Sequence, residues 1–285
     1  LKEGTRSGLL YECEKIIEAK KPKYLLSENV KNLVGKKFKP DFDKWLNYLE
    51  GLGYKNYWKV LNAKDYVPQN RERVFVVSVL GEHKPYTFPQ PIKLNRAIKD
   101  ILEDTVDEKY YMNKPFKLVD KGNIKAEFTN IKFEQSKRIY GTDSYFQCLG
   151  AADRGTNNIL ISAYLTDFGY KQTSQILNKE GISATLDTMQ GGHREPKILE
   201  EGHRVRKLTP LECWRLMSFT DEDFYKAKNA GISNSQLYKQ AGNSIVVKVL
   251  EGIFKNLLID NEQVKEITTE EEKRKDRNMQ LKWCI

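Results

Sequence analysis

The sequence predicts an α/β protein, helices layered on a sheet, followed by a second region of mixed, mostly β texture. Three observations carry this. Helix and strand signals alternate through the first 80 residues, which is the pattern of an α/β layer structure. Between Pro85 and Arg204 the pattern gives way to short, turn-rich segments in which no long helix can be placed. No apolar run approaches the roughly 20 residues that a membrane helix needs.

The elements follow from local pattern. Leu9, Leu10, Cys13, Ile16 and Ile17 fall at helical spacing, so the spacing predicts a helix over Ser7–Lys21 that stops before Pro22. Tyr24-Leu25-Leu26 reads as a short buried strand. Phe42, Trp45, Leu46 and Leu49 give a second helix over Asp41–Glu50, closed by Gly51 and Gly53. Tyr57–Leu61 is strand-like, and Val74–Leu80 is the strongest strand in the chain. Phe88-Pro89-Gln90-Pro91 makes a stiff junction. Helical signal returns at Thr209–Met217, with Thr209 as N-cap and Pro210 first, and again at Ser244–Leu258, where Ile245, Val249, Ile253, Phe254 and Leu257 share a face. There are no internal repeats. The expected division is residues 1–90, 91–235, 236–259 for a returning helix, and a charged tail at 260–285.

Composition narrows the function classes. The chain has 285 residues, 39% hydrophobic and 11% aromatic, enough to bury a core and far from the disordered class. Its four cysteines, Cys13, Cys148, Cys213 and Cys284, show no C-x-x-C spacing. A disulfide framework and a zinc ribbon are thereby excluded, and no metal site is expected; the cysteines read as reduced cytosolic thiols. The net charge is +9. The tail from Asp260 holds seven acids and six bases, so the body carries +10, a charge suited to a polyanionic partner. A basic protein kept soluble by its lysines would look the same.

Three constellations bear chemistry. Ser27-Glu28-Asn29-Val30 follows the Tyr24–Leu26 strand, and strand carboxyl ends are where ligand sites gather in open α/β sheets; a carboxylate capping the next element is the alternative. Gln69-Asn70-Arg71-Glu72-Arg73 enters the strong strand, and in an extended chain Gln69, Arg71 and Arg73 would share one face. Their planar, permanently charged forks suit phosphates and carbonyls, although a salt-bridged loop would use the same residues. Gln240-Ala241-Gly242-Asn243-Ser244 would open the last helix, where Asn243 or Ser244 could cap and free N–H groups could receive a ligand.

Taken together and in this order, these residues resemble the DNA (cytosine-5)-methyltransferase family. Glu28-Asn29-Val30 is similar to its Glu-Asn-Val motif, and Gln69-x-Arg71-x-Arg73 to its Gln-x-Arg-x-Arg motif. Arg206-Lys207-Leu208-Thr209-Pro210-x-Glu212-Cys213-x-Arg215-Leu216-Met217 resembles the segment closing the family's target recognition region, and Gln236-x-Tyr238-Lys239-Gln240-x-Gly242-Asn243-Ser244 its last motif. Thr5-Arg6-Ser7-Gly8-Leu9-Leu10 looks like the stretch before the Glu-Asn-Val strand. The likeness spans roughly Gly4–Leu258.

The resemblance implies the second half of a Rossmann-like, S-adenosylmethionine-dependent methyltransferase domain plus a smaller target recognition domain. It implies methyl transfer to C5 of a cytosine flipped from double-stranded DNA, in restriction-modification or phage protection, in the cytoplasm of a bacterial or phage-infected cell. Glu28 would hydrogen-bond the cytosine amine and N3. Arg73, supported by Arg71, would hold O2 and nearby phosphate. Leu9, Asn243 and Ser244 would line the S-adenosylmethionine pocket. Gln69, Thr185, Leu186, Gln190, His193 and Arg194 would serve DNA recognition, the last three from a glycine-rich loop that could equally be a plain hairpin turn.

Two family features have no counterpart: the glycine-rich cofactor loop and the Pro-Cys dipeptide that carries the nucleophile. The chain also begins at Leu1. The expectation is therefore a C-terminal portion whose N-terminal half lies in cis or on a partner chain. The alternative is the DNA-recognition subunit of a split methyltransferase, or a noncatalytic DNA-binding remnant.

Overall fold

The computed structural model describes residues 9–91, 94, 96–114, 116–118, 159, 161–165, 174–189, 194–200 and 204–259. The chain divides into two compact units, one made of Leu1–Leu61, Arg73–Gln90 and Leu250–Ile285, the other of Asn62–Glu72 and Pro91–Val249.

The first unit holds α1 (Leu9–Lys20), β1 (Tyr24–Val30), α2 (Lys39–Gly51), β2 (Tyr54–Asn62) and β3 (Glu72–Leu80). The sheet order is β1-β3-β2, with β3 antiparallel to β1. β3 is central because its Val-rich run is buried on both faces. Val74 and Val76 pack against Phe42 and Leu46 of α2, while Phe75, Val77 and Val79 are buried on the opposite face. Ile17 of α1 joins Leu49 and Tyr54 in a neighbouring cluster.

Sequence pattern and structure differ at β1. Apolarity predicts a strand that ends at Leu26, but the pairing with β3 continues through Ser27↔Val76 and Glu28↔Phe75 to Val30↔Arg73. Backbone hydrogen bonding carries the polar residues, so Glu28 sits inside the strand rather than beyond it. Cys13, expected on the apolar face of the first helix, is exposed.

The second unit contains a sheet of short strands, β4 (Tyr111–Met112), β5 (Phe116–Leu118), β6 (Ile161–Leu165), β7 (Gln175–Leu177), β8 (Lys197–Leu199) and β9 (Val205–Lys207). Their order is β4-β9-β8-β7-β6-β5. The described pairings are antiparallel except β7 with β8. Leu165, Ile176 and Val205 form its core.

Its helices are α3 (Pro210–Leu216), α4 (Asp221–Asn229), α5 (Asn234–Asn243) and the start of α6 (Val247–Phe254), which ends in a π-helical turn over Lys255–Ile259. Thr209 and Glu212 form a reciprocal capping box that starts α3 after Pro210 fixes the first turn. The Trp214 indole donates to Leu237 O at 2.9 Å and the Tyr238 hydroxyl to Leu208 O at 2.6 Å, joining α3 and its lead-in to α5. The last helix begins at Val247, not Ser244, because Ser244 closes α5 with its own N–H bonded to Gln240 O at 3.0 Å. Asn243 and Ser244 are thus at a helix C-terminus, and no N-terminal N–H groups are offered there.

Candidate active site

In the first unit, Val30 and Arg73 are directly opposed across β1 and β3, and Glu28 lies two residues away on the same face. This diagonal relation brings long side chains within reach. Arg73 Nε meets Glu28 Oε1 at 2.9 Å, and their side chains remain 17% and 22% exposed. A carboxyl and a guanidinium, sited on rigid strands and still open to solvent, can together grip a small planar ligand that has both donors and acceptors. Glu28 and Arg73 are therefore brought together.

Gln69 and Arg71 are not part of that arrangement. They belong to the second unit, where Gln69 bridges Ser183 and the Asn70 N–H donates to Ser183 O at 2.8 Å just ahead of β3. Arg71 is buried, and its guanidinium donates to Leu186 O at 2.9 Å, Gly242 O at 3.0 Å and Ser244 O at 2.9 Å. Gln69 is fully buried; its amide donates to Leu216 O at 3.1 Å and accepts from Leu186 N at 3.3 Å.

Gln69 and Arg71 are thus buried, and their side chains bond backbone groups as an internal brace of the second unit. Leu186 is also buried, and its backbone N–H and carbonyl are bonded by Gln69 and Arg71. The same junction explains Gly242. A Cβ there would lie 1.8 Å from Asp187 O and 2.4 Å from Asp187 C, so the close approach of two backbones requires glycine.

Thr185 is exposed with its hydroxyl donating to Asn70 O at 2.6 Å. Arg194 is exposed, 3.7 Å from Asp187, whereas Gln190 and His193 lie outside the described residues. Asn243 is exposed and Ser244 partly so, its hydroxyl donating to Ile245 O at 3.1 Å; the Leu9 side chain lies outside the described residues. An exposed amide beside a helix-terminal hydroxyl fits one hydrogen-bonding edge of an adenosine or amino acid moiety. Among the described residues no group of three His, Cys, Asp or Glu could hold a metal ion, and no helix is long and apolar enough to cross a membrane.

One feature of the second unit has no role assigned from sequence. Arg206 and Glu212, both 0% exposed, form two contacts of 2.8 Å. Glu212 also accepts from Thr209 N at 2.7 Å and Glu103 N at 3.0 Å, while Arg206 Nε pairs with Glu200. Burial opposes the charge on Arg206, but the hydrogen bonds and charges of Glu212 and Glu200 outweigh it and raise its pKa. The readable signal was the Thr209-x-x-Glu212 spacing, which locates the Glu but not its arginine. Nearby, burial pushes the Cys213 thiol well up, so this cysteine is a core residue rather than a nucleophile.

The chain is similar in fold to methyltransferases of known structure. It matches the Schizosaccharomyces pombe Dnmt2 methyltransferase with a TM-score of 0.54 at 18% identity, over 84% of this chain and 67% of that one. It also matches a putative DNA modification methyltransferase encoded within an Escherichia coli prophage, with a TM-score of 0.54 at 18% identity, over 90% of this chain and 74% of that one. The family model for C-5 cytosine-specific DNA methylases covers residues 2–258, and the chain belongs to that family.

Among its relatives, the type II methyltransferase M2.ScrFI of Lactococcus lactis subsp. cremoris is 43% identical over 89% of this chain and 59% of its own length. The orphan methyltransferase M.SPBetaI of Bacillus phage SPbeta is 32% identical over 89% of this chain and 70% of its own length. The chain thus spans less than two thirds of the Lactococcus relative.

Proposed function

We propose that this chain is the part of a cytoplasmic DNA (cytosine-5)-methyltransferase that holds the target cytosine and reads the surrounding duplex, within a restriction-modification or phage-protection system. The observation that supports it most is the Glu28–Arg73 pair, which matches the two polar edges of cytosine. The Glu28 carboxyl hydrogen-bonds the exocyclic amine and N3, drawing electron density toward the ring nitrogen as C6 is attacked. The Arg73 guanidinium donates to O2 and fixes the ring in the plane of the carboxyl. Reaching those atoms requires the base to be outside the helix.

Asn243 and Ser244 would hold one edge of S-adenosylmethionine. When bound, that cofactor supplies the methyl group. The attacking thiolate and the remainder of the cofactor pocket come, in this reading, from a segment acting in cis or as a partner chain.

The second unit's six-stranded sheet and the Thr185–Arg194 segment act as the target recognition domain, with Thr185, Gln190, His193 and Arg194 facing DNA. Gln69, Arg71 and Leu186 hold that segment in place from within. The test is product analysis in duplex DNA from cells expressing the enzyme that contains this chain. 5-Methylcytosine at one recurring sequence is expected. N4-methylcytosine, methylation confined to RNA, or no modified base would overturn the reading.

A further inference from the structure

A basic surface lies in the first unit on the segment that follows β1. The segment after β1, residues 31–44, carries five lysines against two aspartates. Lys36, Lys37 and Phe38 are exposed, and Lys37 Nζ lies 5.2 Å from the Phe38 ring centroid. Lys39 Nζ lies 5.5 Å from the ring of Trp58 on the edge strand β2, bringing the two elements together, and Lys39 also pairs with Asp43.

Trp58 is 41% exposed although it is the largest side chain on that strand. It is held edge-on against buried Phe42, with centroids 5.5 Å apart and planes at 87°. One rim of the indole is therefore fixed and the other presented to solvent. Among the described residues no carboxylate pairs with Lys36 or Lys37.

Lysines on an edge strand can simply discourage sheet-to-sheet pairing. That account covers Lys55 and Lys59, but not the lysines and exposed Phe38 on the loop before α2. Uncompensated ammonium groups interleaved with rigid, half-exposed rings are what a sugar–phosphate backbone requires: cations for the phosphates and flat apolar surface for the deoxyribose.

We infer that Lys36 and Lys37, with Phe38 and Trp58, form an auxiliary contact for the backbone of duplex DNA outside the flipped base. This rests on the DNA-methyltransferase reading above. The contact carries no sequence information; it strengthens binding and makes it salt-dependent.

The experiment is a salt series of binding to a fluorescently labelled duplex by the 285-residue chain and by its K36A/K37A, F38A and K226A/K228A variants. Each phosphate contact contributes about 0.9 to the slope of log Kd against log salt. K36A/K37A is expected to flatten the slope by about 2. F38A should weaken binding several-fold with the slope kept, and the charge-matched K226A/K228A on α4 should leave the slope near that of the parent chain. An unchanged slope in K36A/K37A while the parent chain binds would overturn this inference alone. So would equal flattening by both double variants, which marks net charge rather than a site. Absence of duplex binding by the parent chain at every salt concentration would sink the inference together with the reading beneath it.

Discussion

Two arginine–carboxylate pairs of this chain, Arg206–Glu212 between β9 and α3 in one unit and Arg73–Glu28 between β3 and β1 in the other, differ in how completely they are satisfied. Arg206 and Glu212 are sealed from solvent, and both oxygens of Glu212 are filled by two guanidinium nitrogens and two backbone N–H groups. Arg73 and Glu28 meet through an Nε–Oε1 contact of 2.9 Å and keep solvent exposure on both sides. Saturation makes the first pair a staple of the fold, with nothing left for a ligand. Openness leaves the second accessible to a ligand. Both arginines lie in motifs of the family, so motif membership alone does not separate framework from chemistry; the hydrogen-bond inventory does.

The sealed pair gives the largest stability effect. Glu212→Ala leaves a buried guanidinium uncompensated and is expected to lower the unfolding free energy by about 3–5 kcal/mol, read by urea titration. A loss below about 1 kcal/mol, the scale of exposed pairs, would erase the contrast with Glu28. Gly242→Ala forces a methyl against the Asp187 carbonyl and should cost about 1–3 kcal/mol or more. Because Arg71 binds the same junction, Arg71→Lys should lose about 1–3 kcal/mol through carbonyls left without donors, with the same assay distinguishing this from a neutral exchange.

A smaller, pH-dependent effect comes from Lys197. This lysine of β8 is buried, its ammonium donates to Glu195 O at 3.0 Å, and burial pushes its pKa down to about 8 from an ordinary 10.5. Below pH 8 it is charged in both folded and unfolded chains, so the cost of burial is fully present. Between about 8 and 10.5 unfolding takes up a proton, so stability rises with pH. Lys197→Met should therefore stabilise the chain by about 1–2 kcal/mol at pH 7, with the gain fading toward pH 10. A gain constant across that range would remove the ionic explanation.

Much of the first unit is legible from sequence because its signals are local. Val74–Leu80 and the Phe42, Trp45, Leu46, Leu49 spacing map directly onto β3 and α2. The extension of β1 through Glu28 is not legible, since it depends on pairing with a strand more than forty residues away. α4 and α5 escape the hydrophobic pattern, although Thr220 with Asp223 and Ser233 with Gln236 are readable cap spacings. The strands of the second unit run to only two, three or five residues, too short for periodicity to register.

At the site, Glu28 and Arg73 are recoverable from their motifs. Gln69 and Arg71 precede β3 and are buried by distant segments of the chain, which no local pattern shows. What those two residues touch, Leu186, Leu216, Gly242 and Ser244, lies more than a hundred positions away. No spacing rule reaches that far.

The central claim is that Glu28 acts on the cytosine rather than on the fold, and the Glu28→Gln variant of the assembled methyltransferase tests it most directly. Methyl transfer and duplex affinity would be measured on the same preparation. The loss of a positioned acid should lower the transfer rate by about 10²–10⁴-fold while duplex affinity stays within a few-fold of the parent enzyme. Equal losses in rate and affinity, or full activity in the glutamine variant, would contradict the role assigned to Glu28.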